Sequence, residues 1–245
     1  MQQNPSGMVV DFHSHILPGI DDGSRSVSES LAMLRMHGEQ GIREVVATPH
    51  FYPDRDTPDR FLKRREAARI QLQQAMEGDV GLPKVVMGAE VGFFSGISET
   101  ELLFELTIEG KQCILLEMPP APWTPSMYRE IEAISMKQGI TPVIAHVDRY
   151  IRPLKTYQIP ERLAQLPVMV QANASFFLRN STSRMAMRLL REDKIQLLGS
   201  DCHNLSSRKP NLGDAIAKIE MRLGKEVLVR MNSREAMLLG VGMNN

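Results

Sequence analysis

The chain has 245 residues, 42% of them hydrophobic and 24% charged, a globular balance that excludes a disordered chain. Its 29 basic residues offset 29 acidic ones, so it lacks the basic excess of a dedicated nucleic-acid binder. No apolar run approaches the ~20 residues needed to span a bilayer.

The start, Met1 to Gly7, has neither the basic residues nor the apolar stretch of a signal peptide. Two cysteines, Cys113 and Cys202, cannot build a disulfide framework. A cytoplasmic protein with reduced thiols is expected.

In chain order, Met8 to His15 is the first strand candidate. Ser26-Val27-Ser28-Glu29 has the form of a capping box, followed by Val27, Leu31 and Leu34 at helical spacing and closed by Gly41. Ile42 to Thr48 is strand-like. Thr57-Pro58 then offers an N-cap with proline at the first helical position, and Phe61, Ala68, Leu72, Ala75 and Met76 form the buried stripe. Further strands are expected at 85–91, 113–117, 141–146, 168–173 and 195–201, with helices at about 126–138, 158–166 and 182–193. Leu212, Ile216, Ile219 and Leu223 mark another helix, and a last short one is expected after Asn232-Ser233. The prolines at 119, 120, 122 and 125 form a rigid loop rather than a linker, so one domain over 1–245 is expected.

Seven strands alternating with helices imply parallel pairing with right-handed crossovers. An open doubly wound sheet and a closed barrel both satisfy that pattern. The ionisable residues separate them. His13, His15, His50, His146 and His203 sit at or just past strand C-termini, as do Glu90, Glu117 and Asp201, and Asp21-Asp22 follow the first strand. A closed parallel barrel brings all these ends to one mouth, whereas an open sheet spreads them along an edge.

Asp11-Phe12-His13-Ser14-His15 is the sharpest local signal. A period of two places His13 and His15 on one side, where two imidazoles can grip one ion. Asp11 shares their face and is expected to orient an imidazole from behind. The same parity groups Glu117 with Cys113 and Leu115, where an unpaired charge would be costly without a cation or an arginine. It also groups Asp201 with His203 and turns Cys202 away. About nine candidate ligands exceed what one ion uses and match two or three ions bridged by carboxylate, sites that activate water and clamp phosphoryl groups. Manganese, iron, zinc or cobalt suit this set better than copper(I). Arg149 and Arg208 stand beside these motifs, natural partners for phosphate. His37 lies mid-helix and is expected to be structural or exposed.

These motifs resemble the polymerase-and-histidinol-phosphatase (PHP) family, and within it the bacterial protein-tyrosine phosphatases of capsule and exopolysaccharide biosynthesis. The resemblance rests on DFHSH at 11–15, DDG at 21–23, TPH at 48–50, GAE at 88–90, LLE at 115–117, AHVDRY at 145–150 and SDCHN at 200–204. It implies a distorted TIM-like (β/α)7 barrel holding two or three divalent ions, most often manganese. It implies hydrolysis of phosphotyrosine by metal-activated hydroxide, on a substrate such as an autophosphorylated bacterial tyrosine kinase. One ion would take His13, His15, Glu90 and Asp201; the others would share Asp22, His50, Glu90, Glu117, His146 and His203. Arg149, Arg208 and Asp201 would serve the reaction. Asp148 and Phe51 depart from the family pattern beside the site, which bears on substrate preference. Nucleic acid and membrane insertion are not expected, and oligomeric state is left open.

Four rivals remain at this point. Cys202 and Arg208 have the C-x5-R spacing of thiolate phosphatases, but the intervening HNLSS has no glycine to curl round an anion. Histidinol-phosphate hydrolysis is a small-molecule alternative within the PHP family. TatD-like nucleases and amidohydrolases also open with HxH. A metal-stabilised binding module without turnover is disfavoured by the intact ligand set and both arginines.

Overall fold

The structure is a computed structural model that describes residues 10–151 and 158–240. Met8 and Val9 of the expected first strand, and the Met1–Gly7 start, lie outside the described residues. The strands, in chain order, are β1 (Val10–Ser14), β2 (Glu44–Ala47), β3 (His50–Phe51), β4 (Lys84–Met87), β5 (Glu90–Gly92), β6 (Cys113–Glu117), β7 (Thr141–Ile144), β8 (Met169–Asn173) and β9 (Leu197–Gly199). The helices are α1 (Val27–Glu39), α2 (Pro58–Met76), α3 (Leu103–Leu106), α4 (Pro125–Gln138), α5 (Asp148–Ile151), α6 (Ile159–Leu163), α7 (Ala174–Leu178), α8 (Asn180–Arg191), α9 (Leu212–Leu223) and α10 (Lys225–Leu239).

Every pairing is parallel, in the orders β1-β2-β4 and β3-β5-β6-β7-β8-β9. The strand expected at 85–91 is split into β4 and β5, and the one expected at 42–48 ends at Ala47 and is followed by a separate short strand, β3. The break after β2 falls at Thr48-Pro49, where proline has no N–H to give the ladder. The break after β4 falls at Gly88-Ala89. Counting β2–β3 and β4–β5 as one strand each leaves the expected seven, in chain order around the sheet. The stretch after β9 then returns to β1: Asp201 N–H donates to His13 O at 2.8 Å and His15 N–H to Cys202 O at 2.9 Å. The expected TIM-like barrel is therefore the observed architecture.

Alternation fills two layers. Val10, Phe12, Val46, Val86, Cys113, Leu115, Val143 and Leu197 pack together inside the curl. Their neighbours Val45, Ala47, Ile114, Leu116, Ile144 and Leu198 face outward onto Met33, Leu34, Phe61, Leu72, Ile131 and Ile216 of the helices. Burying both faces explains why these strands read as short continuous apolar runs.

Helix signals were legible with local corrections. Ser26 Oγ accepts from Glu29 N–H at 3.2 Å, but Glu29 Oε2 takes Arg25 N–H instead of closing the box on Ser26. Gly41 follows α1 at φ 79°, where a side chain would be strained. The segment expected at 158–166 is helical only over Ile159–Leu163. The short helix expected after Asn232-Ser233 is instead the second half of α10. Ser233 Oγ bonds back to Val229 O at 3.0 Å, so it sits within the helix instead of capping one. Among the described residues no helix is long and apolar enough to cross a membrane.

Candidate metal centre and active site

All nine residues expected as ligands converge at the C-terminal ends of the strands. β1 supplies His13 and His15. The proline break places His50 in β3, directly in register with Glu90 of β5. Glu117 ends β6; His146 follows β7; Asp201 and His203 follow β9.

Four of these form one cluster. His13 Nε2 lies 3.1 Å from His15 Nε2, and both are within 3.1–3.2 Å of Glu90 Oε2 and 3.6 Å of Asp201 Oδ1. Ligand atoms about 2.0–2.2 Å from one ion stand about this far from each other. A second cluster joins His15, Asp22, His50 and His203, with Asp22 Oδ1 3.5 Å from His50 Nε2 and 3.4 Å from His203 Nε2. Glu117 closes a third with His50 and Glu90. Glu90 is the hub: Oε2 faces His13, His15 and His50, while Oε1 lies 2.6 Å from His146 Nε2.

The backbone bends to make this possible. His146 and Asp201 have φ of 30° and 53°, sparsely populated values for non-glycine residues that recur at functional sites. Gly23 of DDG passes so close to β1 that a Cβ there would stand 2.3 Å from His15 O. At Gly199 a Cβ would stand 2.5 Å from that of His13.

Burial opposes charge on His13 and His15, but the carboxylates Glu90, Asp201 and Asp21 outweigh it and hold both above their ordinary value. Burial opposes charge on Glu90, but His13 and His146 outweigh it and hold the carboxyl well below its ordinary range. Burial pushes His203 down to about 4, helped by the His15 charge, and burial also lowers His50. Both are neutral imidazoles at pH 7, the form that ligates. His203 Nδ1 faces Asp201 O at 3.0 Å, and its buried Nε2 has no hydrogen-bond partner. A nitrogen lone pair facing the Asp22 carboxylate at 3.4 Å, beside the imidazoles of His15 and His50, is what a bound cation would satisfy.

The family model for capsular polysaccharide synthesis proteins CpsB/CapC matches residues 9–239. The chain belongs to the CpsB/CapC family. It is 27% identical over 236 residues to the tyrosine-protein phosphatase YwqE of Bacillus subtilis, covering 94% of this chain and 91% of that one. It is also 27% identical over 234 residues to the tyrosine-protein phosphatase CpsB of Streptococcus pneumoniae, covering 88% and 91%. A crystal structure from work on YwqE and CpsB, described as unique metal-dependent tyrosine phosphatases, superposes with a TM-score of 0.83 at 22% identity over 95% of this chain and 94% of that one. The structural likeness supports the barrel fold.

Several groups in this CpsB/CapC chain escape sequence reasoning. Asp21, not Asp11, orients a cluster imidazole: its Oδ2 is 2.8 Å from His15 Nδ1 and accepts His50 N–H at 3.1 Å. Burial opposes its charge, yet the His15 contact and the N–H groups of Gly23 and His50 bring Asp21 down to about 2. The expectation for Asp11 fails because β1 shifts register between Asp11 and Ser14. That irregularity turns Asp11 toward α1, where it meets His37, while His13 keeps facing the mouth. Gln171 Oε1 accepts His146 N–H at 2.6 Å and lies 3.4 Å from His13 Nδ1. Asn173 donates to Asp201 Oδ2 at 2.8 Å. Tyr52 donates to Glu117 Oε2 at 2.5 Å and its ring stacks on His50 with centroids 5.1 Å apart.

Both expected arginines reach the centre from the rim, partly exposed. Arg208 Nη2 donates to Asp201 Oδ1 at 2.6 Å, and Arg149 Nη2 donates to Asp201 Oδ2. Burial opposes charge on Asp201, but His13 and Arg149 hold it below the ordinary range. Cys202 is fully buried with its sulfur 4.0 Å from His37 Nε2, on the side away from the cluster. The C-x5-R spacing therefore does not form a thiolate phosphatase loop.

Proposed function

We propose that this chain is a metal-dependent protein-tyrosine phosphatase of capsule or exopolysaccharide synthesis, formed as one PHP-type domain over residues 1–245. The observation that carries it is Glu90, one carboxylate among four imidazoles, with Arg149 and Arg208 at the open side. His13, His15, Glu90 and Asp201 would hold one divalent ion. Asp22, His50, Glu90, Glu117, His146 and His203 would hold one or two more. Manganese is our first choice, with iron, zinc or cobalt compatible with the same donors. Bound ions there supply Lewis acidity and make water nucleophilic at neutral pH.

The chain's own residues do the rest. Asp21 fixes His15 with Nε2 facing the cluster, Gln171 sits against His13 and the His146 backbone, and Asn173 holds Asp201, residues that would surround the first ion. Arg149 and Arg208 stand partly exposed at the rim with Nη2 on Asp201, and their remaining guanidinium N–H groups would bind the non-bridging oxygens of a phosphate and neutralise its charge. Beside Glu117, a cleft of about 460 Å³ is lined by the rings of Tyr52, Phe93, Phe94, Pro119 and Pro120 together with the charged Asp54 and Arg55, and its ring-lined part would seat an aryl group. A phenol leaves with a pKa near ~10, so little proton assistance is needed.

The substrate we favour is a phosphorylated tyrosine of a bacterial tyrosine autokinase, met in the cytoplasm, where the free Cys113 and Cys202 stay reduced. The test is turnover of phosphotyrosine peptide, phosphoserine peptide and histidinol phosphate side by side, with Mn²⁺ and with chelator. Phosphotyrosine should be cleaved fastest and chelator should abolish it. Faster turnover of histidinol phosphate, or full activity in chelator, would overturn the proposal.

A further inference from the structure

The outer wall of the barrel carries a groove of about 670 Å³ between α8 and α9. Arg184, Arg188 and Arg191 line it from α8 at helical spacing, and Lys218 and Arg222 line it from α9 four residues apart. No carboxylate lines it. Among the described residues Arg184, Arg191 and Arg222 form no ion pair; Arg188 has only a 3.9 Å contact with Glu192, whose carboxylate Lys194 holds at 2.9 Å. Lys218 donates to Leu178 O at 3.1 Å. The chain as a whole has zero net charge, so five cations in one groove are a local segregation. Their mutual repulsion costs free energy that an anion would relieve.

The form of the groove says which anion. Two facing rows along a 12-residue helix, about 18 Å long, suit an extended polyanion better than a single phosphate. Met187 and Leu223 add apolar contact within the groove, which suits a peptide and not a flat bilayer face. The helices that form the groove follow in the chain from segments of the site. Asn173, which binds Asp201, leads straight into α7 and α8, and α9 begins four residues after Arg208.

We propose that this groove docks an acidic, Asp/Glu-rich segment of the same protein whose phosphotyrosine enters the mouth. The proposal rests on the phosphatase function above. Guanidinium forks pair with carboxylates here, outside the reacting centre, and so act on capture of the substrate protein and leave the chemical step alone.

The experiment compares one phosphotyrosine peptide with the same peptide extended, at either end, by a flexible linker and a run of glutamates. For the Mn²⁺ enzyme, one acidic extension should lower KM by about 5–20-fold at low salt with kcat unchanged, and 0.5 M salt should erase the gain. Arg184→Glu/Arg188→Glu/Arg222→Glu should lose that advantage while hydrolysing a small aryl phosphate at the wild-type rate. Equal KM for all peptides, or an advantage that survives the triple variant, would overturn the proposal. So would groove-dependent binding to phosphatidylserine vesicles without any peptide effect. If no phosphotyrosine peptide is cleaved, the phosphatase function fails, and the groove is read separately by anisotropy of the labelled acidic segment alone. Binding lost in the triple variant then supports docking, and no binding refutes it.

Discussion

Asp11 and His37 form a fully buried pair behind the site, Oδ2 to Nε2 at 2.7 Å. His37 Nδ1 donates to Met33 O at 2.9 Å, so the second ring N–H must be the one given to the carboxylate. Asp11 Oδ1 meanwhile accepts Ser200 N–H at 2.8 Å and His13 N–H at 3.1 Å. One ion pair thus ties α1 to β1 and to the segment carrying Asp201. His37 belongs to the structural half of what the sequence allowed for it.

A stability prediction follows from this pair. Burial opposes charge on His37, but Asp11 and Cys202 outweigh it and raise the imidazole from 6.5 to about 10. Buried Glu235 of α10 faces the same region and is itself held up by burial and by Asp11. A raised folded pKa gives stabilisation that is complete below about pH 6.5 and is lost as pH rises toward 10. His37→Gln leaves Asp11 without its counter-charge and should cost about 3–5 kcal/mol at pH 6.5. Urea unfolding should show that gap narrowing by pH 9.5, and a gap constant over this range would refute the assignment.

The first cluster predicts a large effect at His13. Its Nε2 is 3.1 Å from both His15 Nε2 and Glu90 Oε2, so alanine there removes a donor and leaves the rest in place. Losing a group one step behind a metal ligand already costs about 10–100-fold. His13→Ala should therefore lower turnover at least ~100-fold. Half of wild-type activity would mean that His13 and His15 are not a ligand pair.

Asp21 should behave as the group behind a ligand. Asp21→Asn keeps the shape but weakens its hold on His15 Nδ1, now 2.8 Å away. We expect metal affinity to fall by about 10–100-fold, read by competition with a fluorescent chelator, with activity recovered in excess metal. Unchanged affinity would remove Asp21 from the centre.

Particular residues show what was legible. His50, Glu90, Glu117 and Asp201 were found because a parallel barrel carries every strand end to one mouth, whatever the side-chain details. Asp21 stood beside Asp22 in the same motif, yet only the turn of the chain at Gly23 decides which carboxylate faces His15. Asp11 was misplaced because a register shift in β1 breaks the alternation on which parity rests. Gln171 and Asn173 carry no local pattern, since each acts through a partner far away in sequence, and Tyr52, though it stacks on nearby His50, takes its role from Glu117, 65 residues on. The basic residues of α8 and α9 come to line one groove only through the packing of the two helices.

The last prediction separates two chemistries that share one short segment. Cys202 and Arg208 have thiolate-phosphatase spacing, but the sulfur is buried against His37 while Arg208 reaches Asp201 from the open rim. Cys202→Ala removes one small buried group that touches no phosphate, so activity on a phosphotyrosine peptide should stay within about threefold of wild type, the change coming through packing near His37. On the proposed mechanism Arg208→Ala would remove a charge-assisted clamp on the phosphoryl oxygens, and it should cost at least ~100-fold in kcat/KM. Part of that loss should appear in KM, because the same guanidinium binds the ground-state phosphate. Neither variant should change chelator sensitivity. An inactive Cys202→Ala beside an active Arg208→Ala would reverse the assignment and return the sulfur to the centre of the reaction.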